Sequence, residues 1–491
     1  MDLLKASLSE IATAVRSKKV SALEATQFFM NRAKKLNPKI NAFISFDESA
    51  QDQARKIDEQ VSRGEDPGPL AGVPWGIKDM FCTKGLRTTA ASKILENFVP
   101  PYDATAVALL KKNGAVILGK LNQDEFAMGS SSENSHFGAV KNPWNLNCVA
   151  GGSSGGSAAA QALRMVAAST GTDTGGSIRQ PASFCGVVGA KPTYGRISRY
   201  GIIAYASSLD QAGPLTNSVE DAALSLEIMC GKDIKDGTSS SLPVPSWKKN
   251  LNPSMRGRKI GVLKEYFQDG GLHPEVQAAT EKALSELKQQ GAEIVEVSVP
   301  LTKYAIPMYY LIAASEASSN LSRYDGVRFG FRSEFKSLAH INLSEFYSKT
   351  RGEGFGAEVK RRIMLGTYCL SAGYYEAFYN KAGQVRRMLR DEFSLAFEKC
   401  DVILSPVTAA PAFKLNERIS DPLQMYLNDI FTVATNLAGL PGMSVPFATS
   451  KERLPIGIQL MANHFQEQKM LDAALALEGI SGLKGLVADV L

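Results

Sequence analysis

Apolar residues in this chain come in short blocks broken by polar or glycine positions, and the blocks follow two different periods. Ser21-Ala22-Leu23-Glu24 has the form of a capping box, and Leu23, Phe28 and Phe29 then begin an apolar face running towards Ala33. The first 60 residues are therefore predicted to be helical. Residues 105–113 read as a helix stopped by Gly114, with a short buried strand at 115–119. Residues 275–290 form an amphipathic pattern stopped at Gly291, followed by a strand at 293–299. A further strand is expected at 401–406, and 301–395 reads as largely helical, including the basic run Lys360-Arg361-Arg362.

Strands separated by helices of this size predict an α/β fold, a mostly parallel or mixed central sheet covered by helices on both faces. No fixed-period repeat or low-complexity linker interrupts the chain. The turn-rich joint at 63–69 separates a helical N-terminal section, residues 1–60, from one large domain, residues 61–491, with a helical insertion near 301–395.

Two glycine- and serine-rich knots stand out against this pattern. The first is Gly151-Gly152-Ser153-Ser154-Gly155-Gly156-Ser157 and the second Gly171-Thr172-Asp173-Thr174-Gly175-Gly176-Ser177. A helix at 157–163 and a buried strand at 165–169 are expected between them, with another helix beginning near Ser177. Small residues let two such turns approach closely, and a helix start would aim the amides of Gly175, Gly176 and Ser177 at an anionic oxygen.

Composition narrows the chemistry. With 55 Lys and Arg against 49 Asp and Glu, the +6 balance over 491 residues permits an anionic partner but does not predict one. The six cysteines are scattered without CxxC or metal-ligand spacing, and the N-terminus carries no export signal; a cytoplasmic protein with reduced thiols and no metal site is expected. No apolar run reaches the roughly 20 residues needed to cross a bilayer.

The knots lack the lysine of a P-loop and the spacing of a dinucleotide fingerprint. Hydroxyls among bare amides suit acyl transfer, which needs a base. None of the four histidines (His136, His273, His340, His464) adjoins a knot, and the G-x-S-x-G elbow is absent. Cys148 and Cys185 flank the knots as candidate thiolate nucleophiles or as small buried hydrophobes. Lys78, in the apolar stretch 73–77, is the best lysine base; an ion pair with Asp79 is its alternative. Spacing alone does not choose between these, and tight structural turns also account for any single serine.

At these residues the chain resembles the amidase signature family, and within it the A subunits of tRNA-dependent amidotransferases. The resemblance covers nearly the whole chain and includes Leu70-Ala71-Gly72-Val73-Pro74-Trp75-Gly76-Ile77-Lys78-Asp79, the stretch from Asn142-Pro143-Trp144 to Ser157, and the segment 171–179 into Gln180-Pro181-Ala182. The likeness within that branch rests on Glu316-Ala317-Ser318-Ser319-Asn320-Leu321 with Tyr324-Asp325-Gly326-Val327-Arg328, on the stretch from Arg361 to Tyr368, and on Leu437-Ala438-Gly439-Leu440-Pro441-Gly442.

The resemblance implies an amidase signature fold and a Ser–cis-Ser–Lys triad: Ser177 as nucleophile, Ser153 as the bridging serine and Lys78 as base. It implies an oxyanion hole in the turn Thr174, Gly175, Gly176 and Ser177. It further suggests Arg362 for the substrate α-carboxylate, with Arg361 as the alternative, and Asp429 for the α-ammonium. Glutamine is the implied ammonia donor, with no cofactor in this chain. The implied partners are a B subunit that uses ATP and Mg²⁺ and a small C subunit, the tRNA being bound mainly through the partner. The rival expectation is a stand-alone amidase for small or aryl amides, with the same triad and a different pocket.

Overall fold

The computed structural model describes residues 1–267, 271–335, 341–418 and 422–489. His340 lies outside the described residues. In chain order the strands are β1 (Phe43–Phe46), β2 (Pro74–Lys78), β3 (Val116–Leu121), β4 (Lys141–Asn142), β5 (Asn145–Val149), β6 (Ala168–Thr172) and β7 (Val188–Lys191). They continue as β8 (Ala212–Thr216), β9 (Lys259–Leu263), β10 (Glu293–Val297), β11 (Val402–Pro406), β12 (Gly442–Thr449) and β13 (Pro455–Ala462).

Eleven of these form one sheet in the order β1-β3-β2-β6-β8-β7-β12-β13-β11-β9-β10, while β4 and β5 make a separate hairpin. The sheet is mixed, as expected. β2 pairs in parallel with β3 and β6, and β9 in parallel with β10 and β11. The strands between these two parallel groups are antiparallel. β2, β3, β6, β7, β8, β11 and β13 are buried along their whole length, as strands covered on both faces must be. The N-terminal helices Leu8–Arg16, Ala22–Ile40 and Ala50–Ser62 contribute side chains to the same continuous apolar core. The expected capping box is present: Ser21 Oγ accepts the Glu24 N–H at 3.0 Å while the Glu24 carboxylate accepts the Ser21 N–H at 2.7 Å.

Two expectations around the knots shift in register. The helix runs over Gly155–Ala162 and the following strand is Ala168–Thr172, three residues later than the apolar run suggested. Arg164 is the reason. It adopts φ 51° and donates to Ala6 O at 2.6 Å and Ala167 O at 3.2 Å, so the chain turns before it enters the sheet beside β2. The second knot's helix, Arg179–Cys185, begins two residues beyond Ser177 because the Asp173 carboxylate takes the N–H groups of Gly176, Ile178 and Arg179. Among the described residues no helix is long and apolar enough to cross a membrane.

β2 and β6 are adjacent and parallel, so their C-terminal ends open on the same edge of the sheet. That edge carries the knots, which is where α/β sheets place their sites.

Candidate active site

Lys78 is the last residue of β2 and is fully buried. Its Nζ lies 2.8 Å from each of three hydroxyls, Ser153 Oγ, Ser154 Oγ and Thr172 Oγ1. Burial pushes the ammonium down to about 7, against the pull of Asp124, Asp173 and Asp210. The ion pair with Asp79 does not form. Asp79 faces Lys120 instead, with Nζ to Oδ1 at 3.5 Å.

The hydroxyl protons around Lys78 are not equivalent. Ser154 Oγ donates to Thr172 O at 3.2 Å, so its proton is committed to the backbone. Ser153 Oγ has no partner but Lys78 among the described residues, which leaves its proton free to be relayed. Ser157 Oγ donates to Thr170 O at 2.8 Å and serves packing. The Gly152–Ser153 peptide is cis. Gln180 fixes this turn: its Oε1 accepts the Gly152 N–H at 2.9 Å and its Nε2 donates to Ser130 O at 2.7 Å.

The second knot folds around Asp173. Arg179 grips that carboxylate with two bonds, Nη2 to Oδ1 at 2.9 Å and Nε to Oδ2 at 3.0 Å, and Asn436 Nδ2 adds a third at 2.8 Å. Burial opposes the charge, yet Arg179, Lys191 and Asn436 together hold Asp173 well below the usual carboxylate range. The implied oxyanion turn is narrower than expected, because the Gly176 N–H already donates to Asp173 Oδ1 at 2.8 Å. The N–H groups of Thr174, Gly175 and Ser177 have no acceptor among the described residues. Ser177 is 8% exposed, whereas Lys78, Ser153 and Ser154 are at 0%. Ser177 is the most exposed of these four residues. Glycine is required here by contact: a Cβ on Gly175 would sit 2.7 Å from Tyr309 Cζ, and Gly176 has φ 137° against the Thr432 side chain.

The structure separates Arg361 from Arg362. Arg361 is half exposed and pairs with Glu358 on the surface. Arg362, 3% exposed on the helix Ala357–Cys369, donates through Nε to Glu358 at 2.7 Å and through Nη1 to Tyr205 OH at 2.6 Å. Its Nη2 has no partner among the described residues. The rings of Tyr205, Tyr310 and Tyr426 lie 5.7, 5.2 and 5.6 Å from its guanidinium carbon. Asp429 is 7% exposed and accepts Ser130 Oγ at 2.6 Å. Burial raises its carboxyl to about 7, with Ser130 and Arg362 pulling the other way. The site thus pairs a buried cation that has a free donor with a nearby buried carboxylate, groups of opposite charge complementary to a carboxylate and an ammonium.

The thiol alternatives fare poorly. Burial pushes Cys185 and Cys148 up, away from the thiolate form. His136 sits on the surface, 3.6 Å from Glu96. Sequence reading missed Thr172, Gln180, Ser130, the Asp173–Arg179 pair and the tyrosines around Arg362. Asp173 lay inside the second knot, but its acidity gave no hint that it organises the turn from within.

Comparison with known proteins identifies the family. The Amidase family pattern matches residues 24–471. The chain is 67% identical over 485 residues to the A subunit of glutamyl-tRNA(Gln) amidotransferase from Bdellovibrio bacteriovorus, covering 99% of each. It is 55% identical over 480 residues to the corresponding protein of Geotalea daltonii, covering 97% of this chain and 98% of that one. The crystal structure of the A subunit of glutamyl-tRNA(Gln) amidotransferase from Thermotoga maritima matches with a TM-score of 0.80 at 42% identity, covering 98% of this chain and 96% of that one. The chain therefore belongs to the amidase signature family, in the branch of glutamyl-tRNA(Gln) amidotransferase A subunits.

Proposed function

We propose that this chain hydrolyses glutamine through Ser177, Ser153 and Lys78 and supplies the ammonia to a tRNA-dependent amidotransferase. The observation that carries the reading is Lys78 Nζ at 2.8 Å from Ser153 Oγ, with burial bringing Lys78 to about 7. An amine with that basicity is half neutral near pH 7 and can accept a proton.

In the reaction Ser177 Oγ attacks the side-chain amide carbon of glutamine. Its proton passes to Ser153 as the Ser153 proton passes to Lys78. The oxyanion is received by the unengaged N–H groups of the Thr174–Ser177 turn, and loss of one such donor costs about 3–4 kcal/mol in the barrier. Gly176 contributes shape rather than its N–H, which Asp173 holds. Return of the proton through the same relay expels ammonia and leaves a glutamyl ester on Ser177, which water then hydrolyses to glutamate. Arg362 Nη2 binds the α-carboxylate and Asp429 the α-ammonium, so the substrate is an amino acid amide rather than an aryl amide.

The ammonia serves the conversion of glutamyl-tRNA(Gln), and by the same chemistry aspartyl-tRNA(Asn), to the amidated form. A B subunit with ATP and Mg²⁺ activates the misacylated tRNA, and a small C subunit completes a three-part complex. Relatives named as one subunit of an amidotransferase support this division of labour. The test is a glutamine-dependent transamidation assay on glutamyl-tRNA with the partner subunits present. Glutaminase activity that rises with partners, ATP and glutamyl-tRNA supports the reading. Equal turnover of aryl amides with no response to those partners defeats it.

A further inference from the structure

Helix Ala305–Asn320 carries Glu316 and Asn320 one turn apart on a single face, and both reach the loop 205–210. Glu316 Oε2 accepts the Ser208 N–H at 2.8 Å, and its Oε1 accepts Tyr379 OH at 3.3 Å. Asn320 Nδ2 donates to Tyr205 O at 3.1 Å and to Ser207 Oγ at 3.0 Å. From the helix Lys381–Phe397, Arg386 donates to Ser208 Oγ at 2.7 Å, to Ser208 O at 2.8 Å and to Leu437 O at 2.8 Å. Three outer side chains therefore clamp the loop at Tyr205, Ser207 and Ser208.

The inner side of the same loop faces the site. Tyr205 OH accepts Arg362 Nη1 at 2.6 Å, and this bond with Glu358 on Nε sets the plane of the guanidinium. The remaining Nη2 is aimed by those two contacts. A guanidinium fork discriminates by direction, so a small rotation of Tyr205 weakens its grip on a carboxylate.

We infer that Glu316 and Asn320 are positioning residues for the amino-acid head group of the substrate, acting through Tyr205 on Arg362. This inference rests on the role proposed above for Arg362. It accounts for two residues of the Glu316–Leu321 stretch that neither the triad nor the pocket uses. Their effect is selective: they set how well the α-carboxylate is held, and they leave the reaction at the amide carbon to the triad.

The test uses the full chain with its partner subunits and two substrates, glutamine and butyramide, which has the same amide without the head group. Asn320→Ala and Glu316→Ala are expected to raise KM for glutamine about tenfold, the size of one lost hydrogen bond to a charged network, with kcat within about twofold. Butyramide kcat/KM is expected to change by less than about twofold. Glu316→Gln keeps an acceptor for the Ser208 N–H and is expected to retain the glutamine KM. In an Arg362→Ala background, Asn320→Ala is expected to add nothing, because the two act in series. An unchanged glutamine KM in both alanine variants overturns the inference. So does an equal loss on butyramide, which marks a merely structural loop, or an additive loss in the Arg362→Ala background. Arg362→Ala that itself leaves the glutamine KM unchanged removes the role of Arg362, and the inference falls with it.

Discussion

Ser154 donates its backbone N–H to the carbonyl oxygen of Ser177 at 3.1 Å. The two glycine-serine turns are thus joined main chain to main chain, by a bond that needs neither the Ser153 nor the Ser177 side chain. Replacing either proposed catalytic serine should therefore change the chemistry and spare the architecture.

Ser177→Ala is expected to lower glutaminase kcat about ten-thousandfold, as loss of a nucleophile does, with little change in thermal midpoint. Steady-state ammonia release and a melting curve check both. Ser153→Ala should be nearly as severe, and Ser157→Ala, whose hydroxyl bonds only Thr170 O, far milder.

The pH dependence has a definite sign. In the proposed mechanism Lys78 must be neutral and Asp429 ionised in the free enzyme, and both are brought to about 7. Both conditions fail as pH falls below that value, so log kcat/KM for glutamine should rise from acid with a slope approaching two and level off above about 7. Asp429→Asn should reduce the slope to one and raise KM. A wild-type profile that falls through pH 7 on going alkaline would contradict the assignment of Lys78 as base.

Lys78→Met removes the base while matching its apolar surroundings. Glutaminase kcat is expected to drop about a hundred- to ten-thousandfold. The acid limb due to Lys78 should vanish from what activity remains, measured across the same pH series.

Gly176→Ala places a methyl at φ 137° against the Thr432 side chain, and Gly175→Ala places one 2.7 Å from Tyr309 Cζ. Either change displaces the turn that offers the free N–H groups. A loss in kcat of about a hundredfold or more is expected in steady-state assays, with KM for glutamine much less affected.

Asp173→Ala leaves Arg179 buried without its carboxylate. A loss of about 3–5 kcal/mol is expected, seen as a lower denaturation midpoint. Arg179→Lys should destabilise as well, since one ammonium cannot reproduce the two-pronged contact with Asp173.

Local signals marked the two glycine-serine knots and Lys78 as candidates, a lysine in an apolar stretch and hydroxyls among glycines standing out against their neighbours. They did not choose among the serines, the thiols and the bases; the assignment of Ser177, Ser153 and Lys78 came from the family resemblance. The mixed sheet was legible from strand and helix spacing alone. What was hidden depends on packing between distant segments: Arg362 meets Tyr205 across 157 positions and Arg179 meets Asn436 across 257. No period or composition marks such pairs. The three-residue shift of β6 has the same origin, since Arg164 turns the chain by bonding Ala6 far upstream.

Three amides, a guanidinium and a carboxamide converge on the Asp173 carboxylate, one buried anion that stays charged throughout the neutral range. Asp173 thus keeps its charge, and its hold on the turn, through the acidity range in which Lys78 titrates. In the proposed mechanism a fall of about a unit below pH 7 would then slow the reaction reversibly while the buried Asp173–Arg179 pair stays intact.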